Sequence, residues 1–340
     1  MLRRASLAGL ALLACSLTQA SAGSRSDADL ALLSQVLAAP ATVSYSGVVE
    51  TVRMEGRASV ASIYRVEHRA PDLTRRTYSS PSRFLGDSEI VKGSLKFSVD
   101  GKNHRIVVTR SDPTLMDGSA LRDLEALIRA NYRTVWRGNG TFGGRPTVDA
   151  LLINKHTNRP TMFVRIDRET KIVLDKQEFS AGGALIGETR LNHVRYASVS
   201  PTVFDLPKGY AIVQPQRANG SSDDPDRVVS DAGFAARKPA LPDGFSALDG
   251  DLVELHGIRA VQLLYSDGIR TVSLFETATA VTPDMAPFHP DALDIGGRPA
   301  QYAQDGSVAL LTWNDGTLYY TLVGELSQTE LQHIATAITP

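Results

Sequence analysis

Hydrophobic and polar positions alternate along most of this chain, most regularly just after its midpoint. Residues 161–166 are rich in apolar and β-branched residues, the chain turns within Asp167-Arg-Glu-Thr170, and it returns at 171–179, with apolar and charged positions roughly alternating. Two glycines in Ser180-Ala-Gly-Gly183 allow another turn, because glycine adopts positive φ at no steric cost. Residues 186–196 then alternate again. The pattern predicts three long antiparallel strands with one covered face and one solvated face.

Shorter alternating segments earlier in the chain predict further strands of the same sheet. Turn residues separate them, and Asp100-Gly101 is the strongest of these hairpin signals. The predicted strands lie at residues 43–52, 59–69, 73–79, 88–91, 95–99, 104–109, 132–136 and 147–154. Two helices are predicted among them, at residues 27–38, ended by Pro40, and at residues 119–131. We therefore predict an α+β fold in which an open antiparallel half-barrel sheet is covered by these helices.

A change of composition separates this sheet from a second domain. Residues 214–240 are polar and rich in proline, which predicts an interdomain linker. Beyond them, hairpin patterns turn at Asp267-Gly268 and Asp315-Gly316, and Ser327-Gln-Thr-Glu330 is a capping box that begins a final helix. This second domain is predicted to be a small α+β domain. The predicted divisions are a signal peptide at 1–22, a first domain at 27–213, a linker at 214–240 and a second domain at 241–340.

The first residues have the composition of a secretory signal peptide. Two arginines precede an apolar run at residues 7–13 that is too brief to span a bilayer. Cleavage after Ala20-Ser-Ala22 suits ordinary signal peptidase, whereas Leu12-Leu-Ala-Cys15 resembles a lipobox in which Cys15 is lipidated. Both alternatives predict an exported, periplasmic protein. Cys15 is the only cysteine, so the mature chain is predicted to have no internal disulfide.

The overall composition indicates a two-domain globular protein and argues against nucleic-acid binding. With 340 residues, of which 42% are hydrophobic and 21% charged, the chain can bury the cores of two domains. The net charge is −1 at pH 7, and lysine and arginine are scattered along the chain. A nucleic-acid-binding protein is expected to concentrate its basic residues on one segment or face.

Motifs for catalysis or cofactor binding are weak. Gly138-x-Gly140-x-x-Gly143 matches the dinucleotide fingerprint, but a strand pattern follows where that fingerprint needs a helix, so we predict a glycine-rich turn. The seven histidines lack metal-ligand spacing, and no serine lies in a Gly-x-Ser-x-Gly motif. We predict a protein that is not an enzyme, with no catalytic, cofactor-binding or metal site.

The aromatic side chains of the first domain have two interpretations. They belong either to an ordinary core beneath a helix or to the lining of a pocket for an acyl chain. An open sheet with covering helices permits both. The candidates for the pocket lining are Tyr45, Tyr64, Phe84, Phe97, Phe163 and Phe179.

Short motifs in both domains, mostly turns and strand ends, are similar to those of a known family. In the first domain they are Tyr45-Ser-Gly47, Arg65-Val-Glu-His68, Gly144-Arg145, Ile166-Asp-Arg-Glu-Thr170 and Phe204-Asp-Leu-Pro-Lys-Gly-Tyr210. In the second domain they are Leu241-Pro-Asp-Gly-Phe245, Leu264-Tyr-Ser-Asp-Gly268 and Val272-Ser-Leu-Phe275. On these motifs the mature chain resembles the MucB/RseB family, periplasmic regulators of envelope-stress sigma factors.

The resemblance implies a LolA-like, lipoprotein-carrier fold for the first domain. It also implies a sensor whose two domains bind the extracytoplasmic part of a membrane anti-sigma factor and shield it from proteolysis. The implied ligands are lipid, lipopolysaccharide or lipoprotein acyl chains, held in the cavity of the first domain. The alternative is a carrier of lipid or outer-membrane lipoprotein without signalling. The second domain distinguishes the two, because a simple carrier of this fold needs only the first.

Overall fold

Strand-forming segments with period-two alternation assemble into two separate sheets in this computed structural model. The structure describes residues 22–55, 58–110, 118–180, 182–213, 224–255, 257–281, 290–305 and 308–338. Residues 1–21 lie outside these ranges. They include Cys15, its lipobox-like motif and all but the last residue of the predicted signal peptide.

The described part of the first domain contains one twelve-stranded sheet. Its strands are β1 (Tyr45–Glu55), β2 (Ala58–Arg69), β3 (Leu73–Ser80), β4 (Ser88–Lys92), β5 (Leu95–Asp100), β6 (Arg105–Arg110), β7 (Tyr132–Phe142), β8 (Arg145–Asn154), β9 (Pro160–Asp167), β10 (Val173–Phe179), β11 (Leu185–Tyr196) and β12 (Ala211–Val213). The spatial order is β12-β6-β5-β4-β3-β2-β1-β11-β10-β9-β8-β7. Neighbours are antiparallel except β12, which runs parallel to β6. The predicted large, open antiparallel sheet is confirmed.

Two helices, α1 (Ala22–Thr42) and α2 (Gly118–Asn131), cover one face of this sheet. Ala39 of α1 joins the cluster formed by Val49, Val66, Leu174 and Leu191. Leu33 and Leu37 of α1 and Leu124 of α2 pack against a second cluster on β8 and β9. We call this side the helix-covered face. The helices are therefore held by apolar contacts with the sheet, as the sequence predicts.

Pro40 does not end α1, although the sequence predicts that it does. The helix continues to Thr42, with Pro40 inside its last turn. There the carbonyl oxygen of Ala39 accepts hydrogen bonds from the Val43 N–H at 2.9 Å and the Thr42 hydroxyl at 3.2 Å. The Pro40 carbonyl accepts a hydrogen bond from His68 Nε2 at 2.6 Å. These partners satisfy carbonyls that the helix end would otherwise leave unpaired.

The glycines of the dinucleotide-like motif lie mainly within a strand, which corrects the predicted turn. Strand β7 includes Gly138 and Gly140, and the turn to β8 comes later, at Gly143 and Gly144. A bulge between Trp136 and Gly138 accommodates the φ of +107° at Gly138. Strand β8 follows, so the helix that would hold a pyrophosphate is not in this place.

The opposite, outer face of the sheet is covered differently. The segment after β11 crosses β4, β5 and β6, where Val199 and Phe204 pack against Ile90, Val99 and Ile106. Phe204 is 1% exposed. The motif that begins at Phe204 thus completes the first domain by covering its outer face.

The second sheet has seven strands among the described residues. They are β13 (Ser246–Leu255), β14 (Ile258–Ser266), β15 (Thr271–Thr277), β16 (Asp291–Ile295), β17 (Arg298–Asp305), β18 (Val308–Asn314) and β19 (Tyr319–Gly324). The spatial order is β13-β14-β15-β19-β18-β17-β16. Helix α4 (Gln328–Ile338) covers one face, where Leu331 and Ile334 meet Leu263, Leu274 and Leu322. The predicted capping box forms, because Glu330 Oε2 accepts the N–H of Ser327 at 3.0 Å.

Part of the predicted linker belongs to the second domain. Helix α3 (Pro225–Ser230) lies within residues 214–240 and packs against β13 and β14. Val228 and Ala232 are buried in the core of the second sheet. Val229, Phe234 and Ala236 pack against the same core, and the sequence analysis overlooked these apolar residues because the segment around them is polar and rich in proline.

Two turns of the second domain contact the end of α2 and the start of β7 in the first. Asn131 Nδ2, at the end of α2, donates to the carbonyl oxygens of Gly244 at 2.9 Å and Asp267 at 3.0 Å. The Tyr132 hydroxyl donates to Asp267 Oδ2 at 2.5 Å. A Cβ atom on Gly268 would lie 2.7 Å from the Ile128 nitrogen, so glycine permits this close approach.

Asp267 is a fully buried carboxylate at this junction. Its Oδ1 accepts the N–H groups of Ile269 and Arg270 at 2.9 and 2.8 Å. Arg270 Nε donates to Oδ2 at 2.9 Å, and Arg270 Nη1 reaches Glu330 at 2.6 Å. Burial raises the pKa of the Tyr132 hydroxyl, and so does the neighbouring Asp267, so Tyr132 remains a neutral donor.

We expect Tyr132→Phe to destabilise the protein through this junction. The substitution removes one donor from a buried carboxylate, and hydrogen bonds to charged groups contribute about 1.5–3 kcal/mol. Urea unfolding should show a free energy of unfolding lower by about that amount. The half-exposed Tyr319 provides a matched control, since Tyr319→Phe should change stability by less than about 0.5 kcal/mol. Equal effects of the two substitutions would contradict the structural role of the Tyr132 hydroxyl.

A second buried carboxylate, Glu276 on β15, predicts a pH dependence of stability. Burial raises its pKa to about 7, and only the Arg237 N–H, at 2.7 Å, and the Arg237 charge oppose this rise. Between the unfolded value of 4.5 and about 7 the folded state retains a proton that the unfolded state loses. The free energy of unfolding should therefore fall, by up to about 3 kcal/mol, as pH rises through this window.

Glu276→Gln should flatten this part of the stability profile. Glutamine keeps a carbonyl oxygen for the Arg237 N–H but carries no titrating proton. Chemical unfolding at a series of pH values measures the effect, and exposed Glu254→Gln is the matched control. An unchanged slope in Glu276→Gln would show that other groups produce the pH dependence.

Candidate functional site

A cavity of about 870 Å³ lies between the first sheet, its two helices and the second domain. Its walls come from α1, α2, eight of the first-sheet strands and the turn between β14 and β15. Ligand pockets typically measure roughly 300–1,000 Å³. The cavity is therefore large enough for a lipid chain or another small molecule, and it is the candidate functional site.

One half of the cavity is apolar because of strand alternation. Successive side chains of a strand point to opposite faces, so Ala150 and Leu152 of β8 and Val164 of β9 share the helix-covered face. Trp136 of β7 is paired with Ala150 and lies on the same face. Leu124 of α2 lines this half on the side opposite the sheet. An acyl chain would be removed from water here at about 25 cal/mol per Å² of buried apolar surface.

The other half contains a cation held among aromatic rings. Arg76 of β3 lines the cavity, and its Nη1 donates to Glu89 Oε2 at 3.0 Å. Burial alone lowers the pKa of Arg76, but Tyr64 and Glu89 outweigh it and raise that pKa. Burial raises the pKa of Tyr78 to about 12. At neutral pH this part of the wall therefore presents the Arg76 guanidinium, paired with Glu89, beside the neutral hydroxyl of Tyr64.

An ion-pair network at the edge of the cavity connects the two domains. Arg53 of β1 pairs with Glu178 of β10, and Arg53 Nη2 lies 3.2 Å from Glu325 Oε2, just after β19. Lys176 Nζ contacts Glu178 Oε1 at 2.6 Å. Burial alone raises the pKa of Glu178, but Lys176 and Arg53 lower it further than burial raises it. Glu178 is therefore ionised, and the positive charges of Arg53 and Lys176 balance it on the same wall.

The second domain supplies one wall of the cavity directly. Ile269, in the turn between β14 and β15, packs against the cluster of Ile128, Ala150 and Val164 in the first domain. Gly268 and Arg270 line the cavity beside it. The size of the cavity therefore depends on how closely the second domain approaches the first.

The predicted aromatic residues occupy several positions on the helix-covered face. Tyr64 and Phe179 line the cavity. Tyr45 packs beside His68, with ring centroids 5.1 Å apart, at the edge of the neighbouring apolar cluster. Phe84 lines a separate recess of about 500 Å³. Tyr64 and Phe179 are the two candidates that meet the main cavity.

Phe97 and Phe163 lie on the outer face instead. Phe97 packs in the cluster that contains Phe204, and Phe163 lies 5.2 Å from the Arg165 guanidinium. Phe97 precedes Ser98 and Phe163 precedes Val164 in their strands, and Ser98 and Val164 are on the helix-covered face. Because strand parity depends on the register of the neighbouring strands, the aromatic character of a residue does not reveal its face.

Sequence reasoning did not single out Arg76, Trp136 or Ile269 as site residues. Arg76 was within a predicted strand, two positions before Tyr78, so its strand parity was available as a signal. The Trp136 Nε1–H is buried and has no hydrogen-bond partner among the described residues. Ile269 comes from the other domain, and no local pattern indicates its position. The described residues include no group of three histidine, cysteine or acidic side chains that could hold a metal ion.

Comparison with known sequences gives limited information. Residues 241–338 match a family described as a domain of unknown function, DUF4367. The search of curated proteins finds no match. No helix in the described ranges is long and apolar enough to cross a membrane.

Comparison with solved structures is more informative. A crystal structure of MucB in complex with MucA(peri) matches with a TM-score of 0.62 and 16% identity, over 91% of this chain and 98% of that chain. The Pseudomonas aeruginosa MucA/MucB complex matches with a TM-score of 0.62 and 16% identity, over 92% and 98%. MucB alone matches with a TM-score of 0.55 and the same identity and coverage. The chain therefore has a MucB-like fold that extends over both of its sheets.

Proposed function

We propose that this protein is an extracytoplasmic regulator. It binds the extracytoplasmic part of a membrane anti-sigma factor and responds to an acyl ligand in the cavity. The observation that carries the proposal is the shared wall, where Ile269 of the second domain closes the cavity of the first. A ligand that enters the cavity therefore meets both domains.

The similarity to MucB supports a partner of this kind. The matched structures include MucB with MucA(peri), and the match covers both sheets of this chain. The sequence motifs resemble the same family, whose implied partner is an anti-sigma factor. A lipid or lipoprotein carrier without signalling remains the alternative, and the second domain would then need a separate purpose.

The cavity walls favour binding over catalysis. The three carboxylates that line the cavity are all ion-paired: Glu178 with Lys176 and Arg53, Glu188 with Arg190, and Glu325 with Arg53. Burial alone raises the pKa of Glu178, but Lys176 and Arg53 outweigh it and lower that pKa, whereas a general acid needs a raised pKa to hold its proton. The apolar half of the cavity matches the acyl chain of an amphiphile.

Regulation by such a ligand requires a difference in affinity between two states. A ligand shifts an equilibrium only by its differential affinity for those states. A chain long enough to contact Ile269 competes with the closed junction and favours an arrangement in which the second domain has moved. If the partner binds the closed arrangement, the acyl ligand weakens partner binding.

We expect Met162→Trp to weaken binding of an acyl ligand. Met162 lines the cavity, and the larger indole would displace about two methylene groups, each contributing about 0.8 kcal/mol. The dissociation constant for a fluorescent fatty acid should rise roughly 10-fold. Phe163→Trp is the matched control, because the neighbouring side chain lies on the outer face and should leave binding unchanged. Equal affinities for all three proteins would place the ligand outside this cavity.

We also expect acyl ligand and partner to oppose each other. The affinity for the anti-sigma domain should be measured by titration with and without saturating lipid or lipopolysaccharide fragments. A typical coupling free energy of about 1–3 kcal/mol corresponds to a roughly 5- to 150-fold weakening. Unchanged affinity at saturation would leave a binding module without a sensor function. If affinity purification from the cell envelope returns lipoproteins and no single-span anti-sigma factor, the carrier alternative is correct.

A further inference from the structure

The loop between β3 and β4 presents two apolar side chains to solvent. Phe84 is 38% exposed and Leu85 is 59% exposed, although both are large hydrophobic residues. They are adjacent in a short 3₁₀ turn, Ser82–Phe84, and its C-cap, and this turn buries none of its residues. Exposed apolar groups that are adjacent mark an interaction site more often than single ones do.

Backbone hydrogen bonds hold this loop in a defined shape. The Phe84 N–H donates to the Pro81 carbonyl at 3.0 Å, and the Asp87 N–H donates to the Phe84 carbonyl at 3.0 Å. The Lys102 ammonium donates to the Arg83 carbonyl at 2.9 Å, which connects the loop to the turn between β5 and β6. The loop therefore displays Phe84 and Leu85 in a fixed position.

Exposed cations surround these two side chains. The Arg83 guanidinium lies 4.8 Å from the centre of the Phe84 ring, and Lys102 and Arg105 are exposed nearby. Two carboxylates, Asp87 and Asp100, also lie in this region, and both are only partly buried. Asp87 accepts the Gly101 N–H at 3.0 Å, and Asp100 accepts the Lys102 N–H at 3.0 Å, both within turns. Three exposed cations against these two carboxylates leave the apolar centre of the loop with a net positive surround.

We infer that this loop docks on the surface of an anionic phospholipid bilayer. An aromatic and an aliphatic side chain suit the interfacial layer, while long basic side chains reach the lipid phosphates. A folded protein partner fits less well, because two protruding side chains offer far less than the roughly 1,000 Å² that a specific protein interface requires. The partner is therefore identified by its chemistry as an acidic membrane surface.

The loop lies beside the cavity in which we propose that an acyl ligand binds, so the role of membrane docking rests on the proposed function. Phe84 lines the recess of about 500 Å³, and Arg53 lines both that recess and the main cavity. A docked loop would bring the recess to the membrane, next to the cavity. Docking itself is independent of partner binding, so each can fail without the other.

Co-sedimentation with lipid vesicles tests the inference. The full chain is used in a Cys15→Ser background, so that no acyl anchor contributes. We expect binding to vesicles of phosphatidylcholine mixed with phosphatidylglycerol, and much weaker binding to phosphatidylcholine alone. Phe84→Ser combined with Leu85→Ser should weaken binding to the anionic vesicles about 10-fold or more. Arg83→Gln and Arg105→Gln should each weaken it about 5-fold and reduce its salt dependence.

The control replaces two exposed apolar residues of the second sheet, Val308→Ser with Tyr319→Ser, which are 43% and 38% exposed. This variant should bind vesicles as the unsubstituted protein does. A Phe84→Trp variant adds a direct readout, since brominated lipid should quench its fluorescence above the background from Trp136 and Trp313. The inference is overturned if the unsubstituted protein binds neither vesicle type, which would favour a protein partner. It is also overturned if the loop variants and the control bind equally, or if the new tryptophan is not quenched.

Discussion

The buried carboxylate of Asp267 determines how the two domains fit together. Burial of a charged group away from water costs several kcal/mol of free energy unless the group is paired and hydrogen-bonded. Asp267 is 0% exposed, and its partners come from both domains: Arg270 and the backbone of its own turn, and the Tyr132 hydroxyl of the first domain. Separation of the domains would leave this acceptor without the Tyr132 donor, unless water replaced it. The junction therefore depends on directed hydrogen bonds as well as on apolar packing.

Glycine makes the close approach at this junction possible. Gly244 has a φ of +88°, and a Cβ there would lie 2.1 Å from Asn131 Oδ1. Gly268 has a φ of +99° and meets the backbone of Ile128. Larger residues would push the second domain away and withdraw Ile269 from the cavity. The two turns that contain these glycines therefore determine how closely the second domain approaches the cavity of the first domain.

The cavity combines properties that neither domain has alone. The first sheet contributes an apolar half beneath α1 and α2 and a polar half around Arg76. The second domain contributes Ile269 and the Glu325 contact to Arg53. Because packed interfaces have discrete arrangements and do not deform continuously, the proposed sensor would couple occupancy of the cavity to the position of the second domain. The exposed loop at Phe84 lies on the first domain, outside this coupled region.

The sequence by itself determined the strands, the hairpin turns, the two covering helices and the capping box, because these depend on side-chain periodicity and on residues close in the chain. It misplaced the end of α1 at Pro40, where the Pro40 carbonyl is satisfied by His68, 28 residues away. It also could not assign Phe97 and Phe163 to the outer face, since register depends on partner strands. The Tyr132–Asp267 contact joins residues 135 positions apart, and no local pattern encodes it. Only the tertiary structure decided that contact, and with it the wall of the cavity.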